Sequence, residues 1–267
     1  MPRIALCVEY DGSRYCGWQR QRHSPSVQET LEKAISRVSN GAAEVFCAGR
    51  TDTGVHASGQ VVHLDSVRNT VALTLGVNTY LPPDVRVKWA VETDDSFHAR
   101  FSAEERRYRY LIRNSHTRSA LLHQRCWTVY QQLDIARMRS AATALVGRND
   151  FSAFRAAGCQ AKHPNRHVRQ LRVAEHANWI VIDITANAFL QHMVRNIVGL
   201  LVHIGAGRAP VDEARRVLET RDRTQSASAA PADGLFLSQV LYPSRFGLPG
   251  CDANDQPLLP ILPLLPP

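Results

Sequence analysis

Apolar and polar positions alternate from Arg3 to Tyr10, with Ile4, Leu6 and Val8 set against Ala5, Cys7 and Glu9. A period of two predicts a β-strand. Asp11-Gly12-Ser13 then predicts a turn. Beyond it the period changes. Val27, Leu31, Ala34, Ile35 and Val38 recur at helical spacing, and Ser26 followed by Glu29 is a capping-box start. Residues 44–48 and 59–65 read as short strands flanking a glycine-containing loop. Leu81-Pro82-Pro83-Asp84 breaks the chain before a strand at 85–91. In the second half, 106–113, 168–175 and 179–186 read as strands. Residues 134–146 read as a helix with Ile135, Met138, Ala142, Leu145 and Val146 apolar, and 190–204 as a longer apolar helix. Residues 221–233, rich in Ser and Ala, predict a surface loop, and 234–242 a last strand. Two successive sets of strands and helices predict an α+β protein of two halves, 1–103 and 104–247. No obvious sequence repeat relates them. Residues 248–267 carry many prolines and leucines, which predicts a tail along the body without regular structure.

Composition adds a sign of charge. Lys plus Arg is 32 and Asp plus Glu 24, a net charge of +8 with neutral histidines. That balance favours polyanionic partners such as nucleic acid, and it equally fits solvated basic faces. With 44% hydrophobic residues the chain can bury a sizeable core. No apolar run approaches the roughly 20 residues that cross a bilayer, and the apolar stretch before Glu9 is too short for a secretory leader. Six cysteines stand apart without a C-x-x-C pair, which predicts a reducing, cytoplasmic setting.

The most informative stretch is Gly49-Arg50-Thr51-Asp52-Thr53-Gly54-Val55-His56-Ala57. One strand runs into it and another leaves. Residues two apart on an extended segment share a face, so Arg50 can lie beside Asp52. A guanidinium there favours the ionised carboxylate and fixes its direction. A nucleophilic or charge-stabilising aspartate requires this. The same residue types also describe a loop salt bridge with a turn-forming Asp.

The literal string, from Cys47 to Ala57, resembles the signature of the tRNA pseudouridine synthase A family. Further segments resemble that family in order. They are Val8-Glu9-Tyr10-Asp11-Gly12, Gly17-Trp18-Gln19-Arg20-Gln21 and Gly59-Gln60-Val61-Val62-His63, then Phe97-His98-Ala99-Arg100-Phe101-Ser102 and Arg106-Arg107-Tyr108-Arg109-Tyr110. Asp150-Phe151-Ser152-Ala153-Phe154-Arg155, Met193-Val194-Arg195-Asn196-Ile197-Val198-Gly199 and Gly234-Leu235-Phe236-Leu237 complete the series, which spans roughly residues 3 to 245. The resemblance implies the pseudouridine synthase fold, two similar α+β halves with mainly antiparallel sheets and flanking helices around a basic cleft. It implies a homodimer that isomerises uridine at positions 38, 39 and 40 of the tRNA anticodon stem and loop, with no metal and no cofactor. It makes Asp52 the catalytic nucleophile, places Arg50 and Arg195 near it, and gives the uracil to Tyr108 and Leu235. Thr53 departs from the family, where alanine is more usual after the catalytic aspartate.

The reaction breaks an N-glycosidic bond, turns the base and joins its C5 to the same sugar carbon. A carboxylate can attack C1′ or the base, or stabilise a cationic sugar, and the sequence leaves these open. The target base leaves its stack, so the pocket needs another stacking face. Tyr108 can supply it. In a strand Tyr108, Tyr110 and Ile112 fall on one side and Arg107, Arg109 and Arg113 on the other. Tyr110 reads as an ordinary core tyrosine with its hydroxyl paired. Arg195 is the lone cation of an apolar helix, which suits snorkelling to water or pairing with a carboxylate; the resemblance takes the second. Arg20, Arg22, Arg155, Lys162, Arg166 and Arg169 are the candidates for RNA phosphates. Cys159, His163 and His167 have a spacing that invites zinc, but no fourth ligand is evident, so no metal is expected. The rival readings are a synthase for another RNA position, a non-catalytic RNA-binding protein and a metal-dependent nuclease.

Overall fold

The computed structural model describes residues 1–249, so most of the proline-rich stretch lies outside the described residues. The described chain divides into two compact units. The first holds Met1–Arg106 and residues 236–249, the second Arg107–Leu235. The chain therefore leaves the first unit three residues later than the expected boundary at 103. Its last strand, expected with the second half, clusters with the first unit.

The first unit contains β1 (Arg3–Tyr10), α1 (Val27–Ser39), β2 (Phe46–Cys47), β3 (His56–Asp65), α2 (Val77–Tyr80) and β4 (Val85–Thr93). β1 pairs antiparallel with β3 and with β4, with Arg3 opposite Asp65 on one side and Thr93 on the other. Its alternation suggests one buried face, yet Ala5 and Cys7 are buried along with Ile4, Leu6 and Val8. A strand paired on both edges and covered on both faces leaves no wet side. β2 runs antiparallel to β3 and covers only two of the five residues expected to be extended. α1 begins as its sequence indicates. The Ser26 hydroxyl accepts the Glu29 N–H at 3.3 Å, while the Glu29 carboxylate pairs one turn on with Lys33 at 2.7 Å. Val27, Leu31, Ala34 and Ile35 are buried, each large side chain contributing about 1.5–3 kcal/mol.

His63 of β3 fastens this unit's loops. Its Nδ1 accepts the Ala99 N–H at 3.1 Å, and the ring also bonds the Phe46 backbone. Burial, with His98 and Arg3 nearby, pushes its pKa down to about 4. Between pH 6.5 and 4 the unfolded chain therefore takes up a proton that the folded chain refuses. The contribution to stability is complete above about pH 6.5 and is lost as pH falls toward 4, about 3 kcal/mol in all. Urea midpoints at pH 7 and pH 4.5 should fall further in the parent than in His63→Gln. Equal falls would refute the linkage.

The second unit contains most of β5 (Glu105–Asn114), then β6 (Trp127–Val129), α3 (Ile135–Thr143), β7 (Gly147–Asp150), β8 (Asn165–His176), β9 (Trp179–Ala186), α4 (Met193–Gly205) and α5 (Glu213–Thr220). Its sheet runs β5-β9-β8-β7, with β6 parallel to β5 and the β7–β8 and β8–β9 pairs antiparallel. The last strand, β10 (Leu235–Leu241), pairs parallel with β3, placing Phe236 opposite His56. Strands paired mostly antiparallel, with flanking helices, make the α+β class expected from the sequence. α3 starts after Asp134, whose carboxylate accepts the Arg137 N–H at 3.0 Å. It ends at Thr143, three residues short of the expected end. α4 starts at Met193 because His192 takes a left-handed conformation, φ 62°. Ile197, Val198, Leu200, Leu201 and Ile204 are fully buried there. No helix among the described residues is long and apolar enough to cross a membrane.

Candidate active site

The segment 48–55, which carries Asp52, is irregular and is held from three directions. Ala48 N–H donates to the Val61 carbonyl at 2.8 Å. The Gln60 amide then grips the next residue, its Nε2 on the Gly49 carbonyl at 2.6 Å and its Oε1 accepting the Gly49 N–H at 3.4 Å. The buried Thr51 hydroxyl meets the Tyr10 hydroxyl at 2.8 Å, and its carbonyl accepts the Trp18 N–H at 3.0 Å. Asp52 follows, partly exposed. Its backbone carbonyl accepts the Val55 N–H at 3.1 Å, closing a tight turn in which Gly54 has φ 78°. A positive φ at the third position of such a turn suits glycine. Arg50, two residues earlier, is exposed. Burial pushes the nearby Cys47 thiol up to about 12, although the Arg50 and Arg100 charges oppose it. Thiolate chemistry at neutral pH is thereby disfavoured at this loop.

The segment 11–18 forms the floor. Gly17 has φ 89°, and a Cβ there would lie 2.7 Å from the Thr51 carbonyl oxygen and 3.2 Å from the Asp52 carbonyl carbon. Only a residue without a side chain lets the two backbones meet. Gly17→Ala should cost about 2–3 kcal/mol and displace Asp52. An unchanged denaturant midpoint would refute this contact. At the far end, the buried His56 stacks on Phe236 at 4.6 Å. Its Nδ1 lies 3.0 Å from the Gly12 nitrogen and 3.1 Å from Asp11 Oδ1. One nitrogen cannot both accept the Gly12 proton and donate to Asp11. The accepting form leaves the Asp11 carboxylate to the N–H and hydroxyl of Ser13. With Nδ1 accepting, the Ser13 bonds are what hold the Asp11 carboxyl below its usual range.

The remaining sequence candidates belong to the second unit. Tyr108, Tyr110 and Ile112 are buried on one face of β5, as the alternation predicts. On the other face Arg109 makes a two-pronged pair with Asp183, at 2.7 and 2.9 Å, and Arg107 reaches the Thr185 hydroxyl. The Tyr108 ring meets Phe189 edge to face, centroids 4.9 Å apart. Tyr110 donates its hydroxyl to the Pro231 carbonyl at 2.8 Å, the paired core tyrosine expected. Arg195 of α4 is half-buried, and its Nε donates to the Ala230 carbonyl at 2.8 Å while the Ala230 N–H returns to the Arg195 carbonyl. The long loop 221–234 is thus tied to α4 and β5 just before the buried Leu235. Asn196 joins in, bonding the Phe154 carbonyl and receiving Arg223.

The basic candidates divide by what their side chains do. Arg166 is 9% exposed, and its Nη1 donates to the carbonyls of His163 and Asn165. The fold uses this guanidinium to hold its own loop. Burial also lowers its pKa. Arg155 likewise bonds the Cys159 and Ala161 carbonyls, and Arg20 pairs with the buried Glu32. Arg22, Lys162 and Arg169 are exposed. Cys159 accepts the Gln191 N–H. Burial opposes ionisation of its thiol, but the Ala161 and Gln191 N–H groups and Arg155 outweigh it and bring its pKa below the usual value.

Sequence reasoning singled out Asp52, Arg50, Tyr108, Arg195 and Leu235 but assigned no role to Tyr10, Trp18 or Gln60. The signal was available in part, since each lies in a segment that resembles the family.

Comparison with known proteins places the chain in a family. Residues 6–102 and 141–243 match the family described as tRNA pseudouridine synthase. A tRNA pseudouridine synthase A of Glaesserella parasuis serovar 5 (strain SH0165) is 53% identical over 249 residues, covering 92% of this chain and 95% of that relative. The protein of the same name from Shewanella amazonensis has the same identity and coverage. That of Escherichia fergusonii is 52% identical, covering 92% of each chain. By the matched segments and by 53% identity over 92% of its length, the chain belongs to the tRNA pseudouridine synthase family.

Proposed function

We propose that the protein isomerises uridine to pseudouridine at positions 38, 39 and 40 in the anticodon stem and loop of tRNA. The observation that carries this reading is the identity to named synthases along 92% of the chain. The rigid presentation of Asp52 supports it. In this reading Asp52 is the nucleophile, attacking either the sugar C1′ or the base. Arg50 orients the carboxylate and Arg195 adds positive charge for the same anion. Tyr108 stacks on the uracil and Leu235 is the apolar wall beside it. Arg22, Lys162 and Arg169 contact phosphates, with Arg20 and Arg155 contributing charge at longer range. The reaction is redox-neutral and consumes no water, so the chemistry calls for no cofactor. The active species is a homodimer, and its setting is the cytoplasm. Each unit supplies part of the machinery, and 248–267 is dispensable for turnover.

The test is direct. The protein is incubated with an unmodified tRNA transcript and pseudouridine is mapped by mass spectrometry. Product at 38, 39 or 40 is expected. Product only at another position would make this a synthase of different specificity. Binding without any product would make it a non-catalytic RNA-binding protein.

A further inference from the structure

The first unit carries aromatic rings that its core does not use. Phe101 is 75% exposed and Phe46 44% exposed. His98 lies with its ring centroid 4.3 Å from that of Phe101 and 5.9 Å from that of Phe46. Beneath them, His63 stacks on Phe46 at 5.1 Å and meets His98 at 4.5 Å. The turn that holds Phe101 is preorganised. Ser102 N–H donates to the His98 carbonyl and the His98 N–H to the Ser102 hydroxyl, both at 2.9 Å. The imidazole Nδ1 accepts the N–H groups of Arg100 and Phe101, at 3.1 and 3.3 Å. Arg106 ties this turn to the Asp52 loop, its Nη2 bonding the carbonyls of Arg100 and Ala48. The Arg100 guanidinium stands 5.6 Å from the centroid of the Phe101 ring, and Arg50 is exposed on the Asp52 loop.

An exposed ring beside guanidiniums has a specific chemistry. A second copy of the chain would have to bring the same cations against its own, with a desolvation cost and like-charge repulsion. RNA uses both features at once. Unstacked bases lie on aromatic faces, and phosphates neutralise the arginines. We propose that Phe101, with Phe46 and His98, is a stacking platform for an unstacked base of the RNA near the target uridine, with Arg100 on the adjoining phosphate. The proposal rests on the tRNA reading above. When an enzyme extracts a base for chemistry, its neighbours lose their stacking, and a rigid exposed ring offers a replacement.

Filter binding of the full-length protein to an unmodified tRNA transcript, at several salt concentrations, tests it. Phe101→Ala should bind about tenfold more weakly, and Phe101→Trp should bind as the parent does. The salt slope should stay unchanged in Phe101→Ala, which removes no charge, and should shrink by about one in Arg100→Ala. Parental affinity in Phe101→Ala would overturn the platform while the parent's turnover upholds the tRNA reading. A parent that leaves the transcript unmodified would overturn that reading and the platform with it. A lighter species for Phe101→Ala in sedimentation would also overturn it, by showing that the ring covers a second copy.

Discussion

Asp52→Asn is expected to have no detectable pseudouridine synthase activity while keeping its fold and its affinity for tRNA. The substitution preserves size but removes the charge and most of the nucleophilicity. A neutral amide can neither attack the substrate nor stabilise a cationic sugar. A loss of about 8 kcal/mol in transition-state stabilisation corresponds to near six decades in rate. The turn itself should survive, because its closing bond uses the Asp52 backbone carbonyl and its positive-φ position is Gly54. The clamps on Gly49 and Thr51 also act on neighbouring residues and remain in the variant. Affinity should hold because phosphate contacts supply it, and removing a negative charge favours a polyanion. Tritium release or mass spectrometry beside a binding assay on one preparation decides the matter. Measurable turnover, after deamidation back to Asp is excluded, would sink the carboxylate mechanism. Joint loss of folding and binding would instead make this loop's aspartate a structural turn residue.

The sequence was legible where a local period governs. β1 and β9 have the expected limits because alternation runs their whole length. α1 starts at its capping serine, since the cap is a local hydrogen bond. The face of β5 holding Tyr108 and Tyr110 was also readable, because a strand's two sides follow from counting. Short or weakly apolar elements were not. α5 buries only Ala214 and Val217, β6 has three residues, and β7 and the helical stretch ending in α2 carry little periodic signal. At the site, the string around Asp52 was recognisable but its support was not. Gln60 reaches Gly49 from eleven positions away, and only the tertiary path of the chain brings Tyr10 to Thr51. Arg166 shows the converse. In sequence it is one arginine of a basic cluster, and only the folded chain shows its own loop's carbonyls around the guanidinium.

Tyr108 provides the second large effect. The residue is 8% exposed, and its ring has an edge-to-face contact to Phe189 that fixes its plane. If that ring is the stacking face for the uracil, Tyr108→Phe keeps the plane, the packing and most of the activity. Tyr108→Ala loses the face, and base–aromatic stacking of about 1–3 kcal/mol predicts a fall in kcat/KM of roughly 5- to 150-fold. Truncating a buried aromatic also destabilises the fold by about 3–5 kcal/mol, so the alanine variant must be assayed well below its melting temperature and checked by circular dichroism. The phenylalanine variant carries no such burden and makes the sharper comparison. Near-parental turnover in Tyr108→Phe, together with a deep loss in Tyr108→Ala, assigns the residue to stacking. Equal damage in both refutes that assignment and moves the function to the hydroxyl, with transfer of the C5 proton as its natural task. A phenol is a poor base at neutral pH without a nearby cation. A hydroxyl role would therefore show as a pH–rate profile that Tyr108→Phe flattens, whereas a stacking role leaves the shape of that profile unchanged.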